Sequence, residues 1–154
     1  MLHLTIVAVG RIKEDYLRQG IGEYQKRLQA YTKLQIIEVP DYPVGRDPAW
    51  TKQEEGKKIL AVLKTPSFVA VCDRQGRSIT SEELAQWLAT REQEGKTVYV
   101  VIGGAAGLDQ EVLARADDRL SFSALTFPHQ LFRLLLLEQI YRGFKILRGE
   151  PYHL

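Results

Sequence analysis

Apolar and polar positions change period along the chain, and each change marks an element. Leu2 to Val9 is β-rich and bounded by Gly10, which predicts a strand. Leu17, Ile21, Tyr24, Leu28 and Tyr31 then recur at alternating steps of four and three, the stripe of an amphipathic helix with one buried side. Leu34 to Val39 predicts a second strand, stopped by Pro40. "PDYPVGRDP", Pro40 to Pro48, carries prolines and a glycine and predicts an exposed loop. Thr51 with Glu54 has the form of a capping box and predicts a helix through Leu63. Ser67 to Cys72 reads as a buried strand ended by "DRQG". Thr80 with Glu83 repeats the capping-box pattern, for a helix up to Gly95. Thr97 to Ile102 predicts another strand, Asp109 the cap of a short helix, and Leu120 to Phe122 a short strand. The final helix is expected from His129 to Leu147.

Strands alternate with helices, and the later strands are continuously apolar. That pattern predicts an α/β fold with a mostly parallel sheet and helices on both faces. No repeat or linker divides the chain, so residues 1–154 are read as a single domain. The last helix is unusual, because Leu134 to Leu137 cover every side of it. A helix apolar all round is buried all round. The sheet covers one side; a homodimer with an isologous interface covers the other, unless the helix is central in a monomer.

Composition narrows the class. The 154 residues suit one domain with a real core, and 45% hydrophobic with 26% charged residues is ordinary for a globular chain. A formal net charge of +2 permits nucleic-acid contact without arguing for it. The single cysteine, Cys72, excludes an internal disulfide and a Cys-based zinc site, and makes a reducing cytoplasm the expected setting. The N-terminus turns charged at Arg11, so a strand is expected there rather than a signal peptide. No apolar run reaches membrane-spanning length. His3, His129 and His153 lack metal-ligand spacing, so no metal is expected. P-loop, dinucleotide-fingerprint, nucleophile-elbow and zinc-protease motifs are all missing.

Three loops fall at the carboxyl ends of predicted strands, where parallel sheets bind ligands. They are "CDRQG", "GGAAG" and "SALTFPH". Glycines let backbone approach a ligand closely, and these loops offer many backbone donors and acceptors but few acid–base side chains. That suits a ligand gripped by its edges, such as an adenine and a ribose; a tight strand-to-helix turn is the alternative for "GGAAG". Along the last helix, His129 shares a face with Arg133, and Glu138 with Arg142 as a helix salt bridge. Arg142, Lys145 and Arg148 serve the helix dipole or meet phosphate. The tail, with Tyr152 and His153, frays or stacks on an unpaired base.

"IGGAAGL", "LSFSALTFPH" and the terminal "PYH", in this order and at these distances, resemble the RlmH family of SPOUT-class methyltransferases, which act on pseudouridine in large-subunit ribosomal RNA. The likeness extends to Val7–Lys13 and Glu23–Leu28, nearly the whole chain. It implies a C-terminal deep trefoil knot, S-adenosyl-L-methionine as cofactor, an obligate homodimer, and N3 methylation of a pseudouridine in 23S ribosomal RNA. By position, cofactor contacts fall on Cys72, Gly103, Ser123, Ala124, Leu125, Thr126, Phe127 and Pro128. The chain departs from the family pattern at Ala105 and Ala106, where relatives carry proline and an acidic residue, and at Leu154, where they carry a basic or polar one.

Transfer from a sulfonium is expected to rest on positioning. Tyr152 and His153 are expected to hold the base, with His153 as candidate proton acceptor because imidazole titrates near neutrality. Arg142 and His129 are expected to meet the RNA backbone or stabilise an anion. So weak a net charge grips free RNA poorly, which makes the assembled ribosome the expected substrate. The alternatives are a SPOUT enzyme acting on another RNA such as tRNA, or a non-catalytic nucleotide- or RNA-binding module.

Overall fold

The computed structural model describes residues 1–45 and 47–154. Among these the chain runs β1 (Leu2–Val9), α1 (Asp15–Leu28), β2 (Thr32–Val39), α2 (Pro48–Val62), β3 (Phe68–Ser78), α3 (Ser81–Glu94), β4 (Val98–Ile102), α4 (Gln110–Arg115), β5 (Asp118–Ser121) and α5 (His129–Leu147). The strands make one sheet in the order β2-β1-β4-β3-β5, and every ladder is parallel. Parallel neighbours require crossovers, which the intervening helices supply.

Alternation along each strand divides the core in two. Leu4, Ile6 and Ala8 of β1 join Val98, Val100 and Ile102 of β4 against α1, α3 and α5. Val7 and Val9 join Val69, Val71, Tyr99 and Val101 on the other face, against Ile59 of α2 and Val112 of α4. Both faces are dry, which is why the strands read as unbroken apolar runs. Helix α5 packs on both α1 and α3. A Cβ on Gly20 of α1 would come 3.0 Å from Leu134, and one on Gly143 of α5 would come 2.8 Å from Leu88 of α3. The missing side chains set how closely these helices approach.

Local signals read correctly in several places. Thr80 and Glu83 form the reciprocal capping box, and Gly95 closes α3 at φ +71°. Asp109 caps α4. Helix α5 has the expected bounds.

Two expectations are corrected. Helix α2 starts at Pro48, and Asp47 caps it by accepting from the N–H groups of Ala49 and Trp50. Thr51 is not the cap; it is fully buried and donates to the Pro43 carbonyl at 2.8 Å, pinning the proline loop instead. Arg46 of that loop lies outside the described residues. Strand β3 does not stop at "DRQG" but runs on to Ser78. Its register on β5 shifts between Cys72 and Arg77, both opposite Leu120. Gly76 permits this, since a Cβ there would lie 2.6 Å from the Arg119 carbonyl oxygen.

Candidate functional site

The segments after Val71 of β3, after β4 and after β5 converge on one cavity of about 760 Å³. The loops that the sequence singled out are therefore neighbours in space. The volume falls within the roughly 300–1,000 Å³ of small-molecule sites.

The β4 loop supplies its floor. Gly107 N–H donates to Gly104 O at 3.0 Å and closes a tight turn with Ala105 and Ala106 at its tip. Gly107 sits at φ +89°, in the left-handed region that favours glycine. A Cβ on Gly104 would come 2.8 Å from Glu55 Oε1 and 3.0 Å from Val9, so this turn lies directly on the core and on helix α2. Gly103 lies as close to Leu108.

The β5 loop forms an opposite wall. Ser123 Oγ accepts from Leu125 N–H at 2.9 Å, an internal brace that leaves the Leu125 side chain 71% exposed. Phe127 stacks on Phe132 at 6.5 Å, and Phe122 meets Phe132 edge-on at 5.8 Å. Ser123, Leu125, Thr126 and Phe127 line the cavity; Ala124 and Pro128 belong to the same loop but do not line it, and Pro128 stands at the start of α5. Cys72 lines it from β3, and burial pushes its thiol up, so it is a wall and not a nucleophile.

His129 opens α5 at the cavity. Burial pushes its pKa down, the Arg133 guanidinium and Lys13 add to this, and Asp41 opposes it. The imidazole is thus neutral at neutral pH. Arg133 is buried one turn later, donating to the Gly10 carbonyl at 2.9 Å and pairing with Glu38. It ties α5 to the ends of β1 and β2.

Lys52, Arg74 and Arg119 also line the cavity. Sequence reading missed Lys52 and Arg119 as site residues. Arg74 lies within "DRQG", a loop already singled out, while Lys52 reaches the site only because α2 packs across the β4 loop.

The other expected residues gather elsewhere. Arg142 donates to Glu138 Oε2 through Nε at 3.1 Å and Nη2 at 2.9 Å, and to His153 Nδ1 at 3.1 Å. Tyr152 O–H donates to Glu138 Oε2 at 2.8 Å and its ring lies under the Arg142 guanidinium at 4.9 Å. Burial, then the Tyr24 and Glu138 contacts, push the Tyr152 phenol up, so it stays protonated. This cluster is thirteen residues along α5 from His129, about 20 Å at 1.5 Å per residue. One chain brings Arg142, Tyr152 and His153 together, but not to the cavity that His129 lines.

The site offers an apolar wall, backbone donors and acceptors on glycine-bearing turns, and the polar side chains of Lys52, Arg74, Arg119 and His129. Among the described residues no cluster of His, Cys, Asp or Glu could hold a metal ion, and no helix is long and apolar enough to cross a membrane. The cavity has the size and the backbone-rich lining to admit a nucleoside with a polar tail.

Residues 2–153 match the family described as "Predicted SPOUT methyltransferase". Over 158 aligned positions the chain is 50% identical to "Ribosomal RNA large subunit methyltransferase H" of Carboxydothermus hydrogenoformans, covering 99% of each. It is 48% identical to the protein of the same name from Pelotomaculum thermopropionicum, again covering 99% of each. Among solved structures, a probable methylase family protein from Haemophilus influenzae Rd KW20 shares the fold, with a TM-score of 0.55, 13% identity, and coverage of 99% of this chain and 70% of that one.

Proposed function

The chain belongs to the SPOUT methyltransferase family, and from that premise we propose that it methylates N3 of a pseudouridine in large-subunit (23S) ribosomal RNA with S-adenosyl-L-methionine. One observation supports the cofactor: loops far apart in sequence converge on one cavity whose lining is rich in glycine-bearing backbone, which suits a nucleoside gripped by its edges. Cys72, Gly103, Ser123, Leu125, Thr126 and Phe127 would hold it, with Ala124 and Pro128 fixing the loop they share. When bound, the cofactor supplies a methyl group on a cationic sulfur, already electrophilic.

The chain's own task is to place N3 of the base in line and to pass its proton to His153, the candidate acceptor, as the N3–H bond breaks and the N3–carbon bond forms. Tyr152, held by Glu138 and Tyr24, presents an aromatic ring for stacking. Arg142 meets a developing anion or phosphate, and His129 offers a neutral imidazole at the cavity.

A homodimer supports this chemistry better than a single chain. Leu131, Leu134 and Leu135 of α5 stay half-buried in the monomer. Antiparallel pairing of α5 with a second copy would bring one copy's Arg142 end to the other's His129 end. A C-terminal trefoil knot through the β5 loop and α5 belongs to the same reading, as does a cytoplasmic location beside its ribosomal substrate. With a net charge of only +2, binding draws on the shape of an assembled ribosome more than on phosphate neutralisation.

Labelled S-adenosylmethionine should be offered in parallel to ribosomes lacking the modification, to free subunits and to naked rRNA. Label at a large-subunit pseudouridine, strongest on assembled ribosomes, is the expected result. Label only on tRNA, or none from a protein that binds the cofactor, would overturn the reading.

A further inference from the structure

Glu55 has no part in the chemistry above, yet its position is costly. It sits on α2, 3% exposed, and reads in sequence as one more surface acid of "QEEG". Its Oε2 accepts the Tyr42 N–H at 3.0 Å. Its Oε1 is buried and has no hydrogen-bond partner among the described residues. Burial pushes the carboxyl up; the Tyr42 bond opposes this and Asp41 adds to it. A buried acceptor left unmade is rare in a native protein and calls for a reason.

The reason lies against Oε1. That oxygen lies 2.8 Å from where a Gly104 Cβ would be, so it faces the β4 turn with no side chain between them. Helix α2 backs the same loop at its other end, where a Cβ on Gly56 would come 3.0 Å from Asp109. The turn is thus held between α2 and whatever fills the cavity. Its tip carries the backbone N–H groups of Gly104, Ala105 and Ala106, and a glycine peptide rotates at little cost.

Resting on the reading of the cavity as the cofactor site, we propose that Glu55 is the positioning residue of this loop. With the cavity filled, an N–H of the Gly104–Ala106 turn donates to Oε1 while Tyr42 keeps Oε2. Both carboxylate oxygens then accept, and cofactor occupancy is coupled through Tyr42 to the proline loop. The cofactor's fit is set partly from behind, by a side chain that never touches it.

Glu55→Gln tests this, because an amide has one oxygen and an NH2 group and cannot accept from both N–H donors. Isothermal titration with S-adenosylmethionine, the melting temperature, steady-state KM for cofactor and for ribosomes, and hydrogen exchange of the turn amides would be measured on the full-length protein. The expected result is cofactor binding about tenfold weaker, the size of one lost charge-assisted hydrogen bond. The melting temperature and the KM for ribosomes should hold, and cofactor should slow exchange at Gly104–Ala106 in the wild type only. Equal affinity, equal slowing in both proteins, or a parallel loss of stability and of both KM values would overturn the proposal. A wild type that binds no S-adenosylmethionine would instead sink the reading of the cavity, and this inference with it.

Discussion

Arg142 Nη1 donates to His153 Nδ1 at 3.1 Å, and His153 Nε2 reaches Glu82 Oε1 at 2.9 Å. Arginine only donates, so Nδ1 must accept and Nε2 must carry the proton. The imidazole in this pose has no free lone pair, and it takes a proton from substrate only after parting from Arg142. His153→Ala should cut turnover about a hundredfold or more while leaving the dissociation constant for S-adenosylmethionine unchanged. Single-turnover assays beside cofactor titration separate the two. Unaltered turnover would remove His153 from the mechanism.

His129 gives a pH dependence of opposite origin. Burial holds its folded-state pKa below the ordinary 6.5. As pH falls through that ordinary value, the unfolded chain binds a proton that the folded chain refuses, so stability drops until the lower folded pKa is reached. Above both values the residue contributes no pH dependence. His129→Gln should therefore lose less stability than wild type between about pH 7 and about pH 5, read as the shift in urea midpoint. Parallel curves for the two proteins would contradict this.

Arg133 is the buttress at the start of α5. Replacing it by Met leaves the Gly10 carbonyl and Glu38 without their donor. Glu38 is partly exposed, which moderates the loss, and a destabilisation of about 2–4 kcal/mol is expected from equilibrium denaturation. The His129 imidazole, followed by NMR, should rise towards its ordinary pKa as the neighbouring cation disappears.

Gly107→Ala places a side chain at φ +89°. The left-handed conformation costs a non-glycine residue about 1–2 kcal/mol, and relaxing it would open the Gly104–Gly107 turn. Thermal melts should show that loss, and cofactor affinity should fall more than the fold does. Binding equal to wild type would mean that the turn tolerates either shape.

Leu135 lies on the half-buried side of α5, at a second recess of about 410 Å³ that shares Phe122, Phe127 and Phe132 with the 760 Å³ cavity. Leu135→Lys should shift the protein towards monomer in sedimentation velocity and abolish turnover without unfolding it. A wild type that sediments as a monomer would remove the dimer from the proposal.

Much of the fold was legible because its signals are local. The Thr80–Glu83 box and Gly95 each fix an end of α3 through neighbouring residues. The parallel pairing of the strands was legible from their continuous apolar runs, but their order in the sheet was not. What escaped depends on distant contacts. The pattern pointed to Thr51–Glu54 as a helix start, but Thr51 is buried against the Pro43 carbonyl and Asp47 caps the helix instead. The extension of β3 hangs on Gly76 lying over Arg119. At the site, the three loops were visible from their positions after strands, whereas Lys52 and Glu55 reach it only through the packing of α2. The sequence reading gave Arg142 and His129 one shared role, and the straight run of α5 holds them about 20 Å apart within one chain.

The placement of α5 has a consequence for the order of folding. Leu4 and Ile6 of β1 share a core with Leu136, Leu137 and Phe144 of α5, roughly 130 residues away in sequence. Among the described strands every ladder is parallel, so no two-residue hairpin seeds the sheet. Contacts so distant in sequence cost loop-closure entropy before they return any burial, which slows folding. At roughly 5–20 residues added per second, the stretch from β1 to α5 takes on the order of 10–30 s to emerge, and until then that face of β1 is incompletely covered.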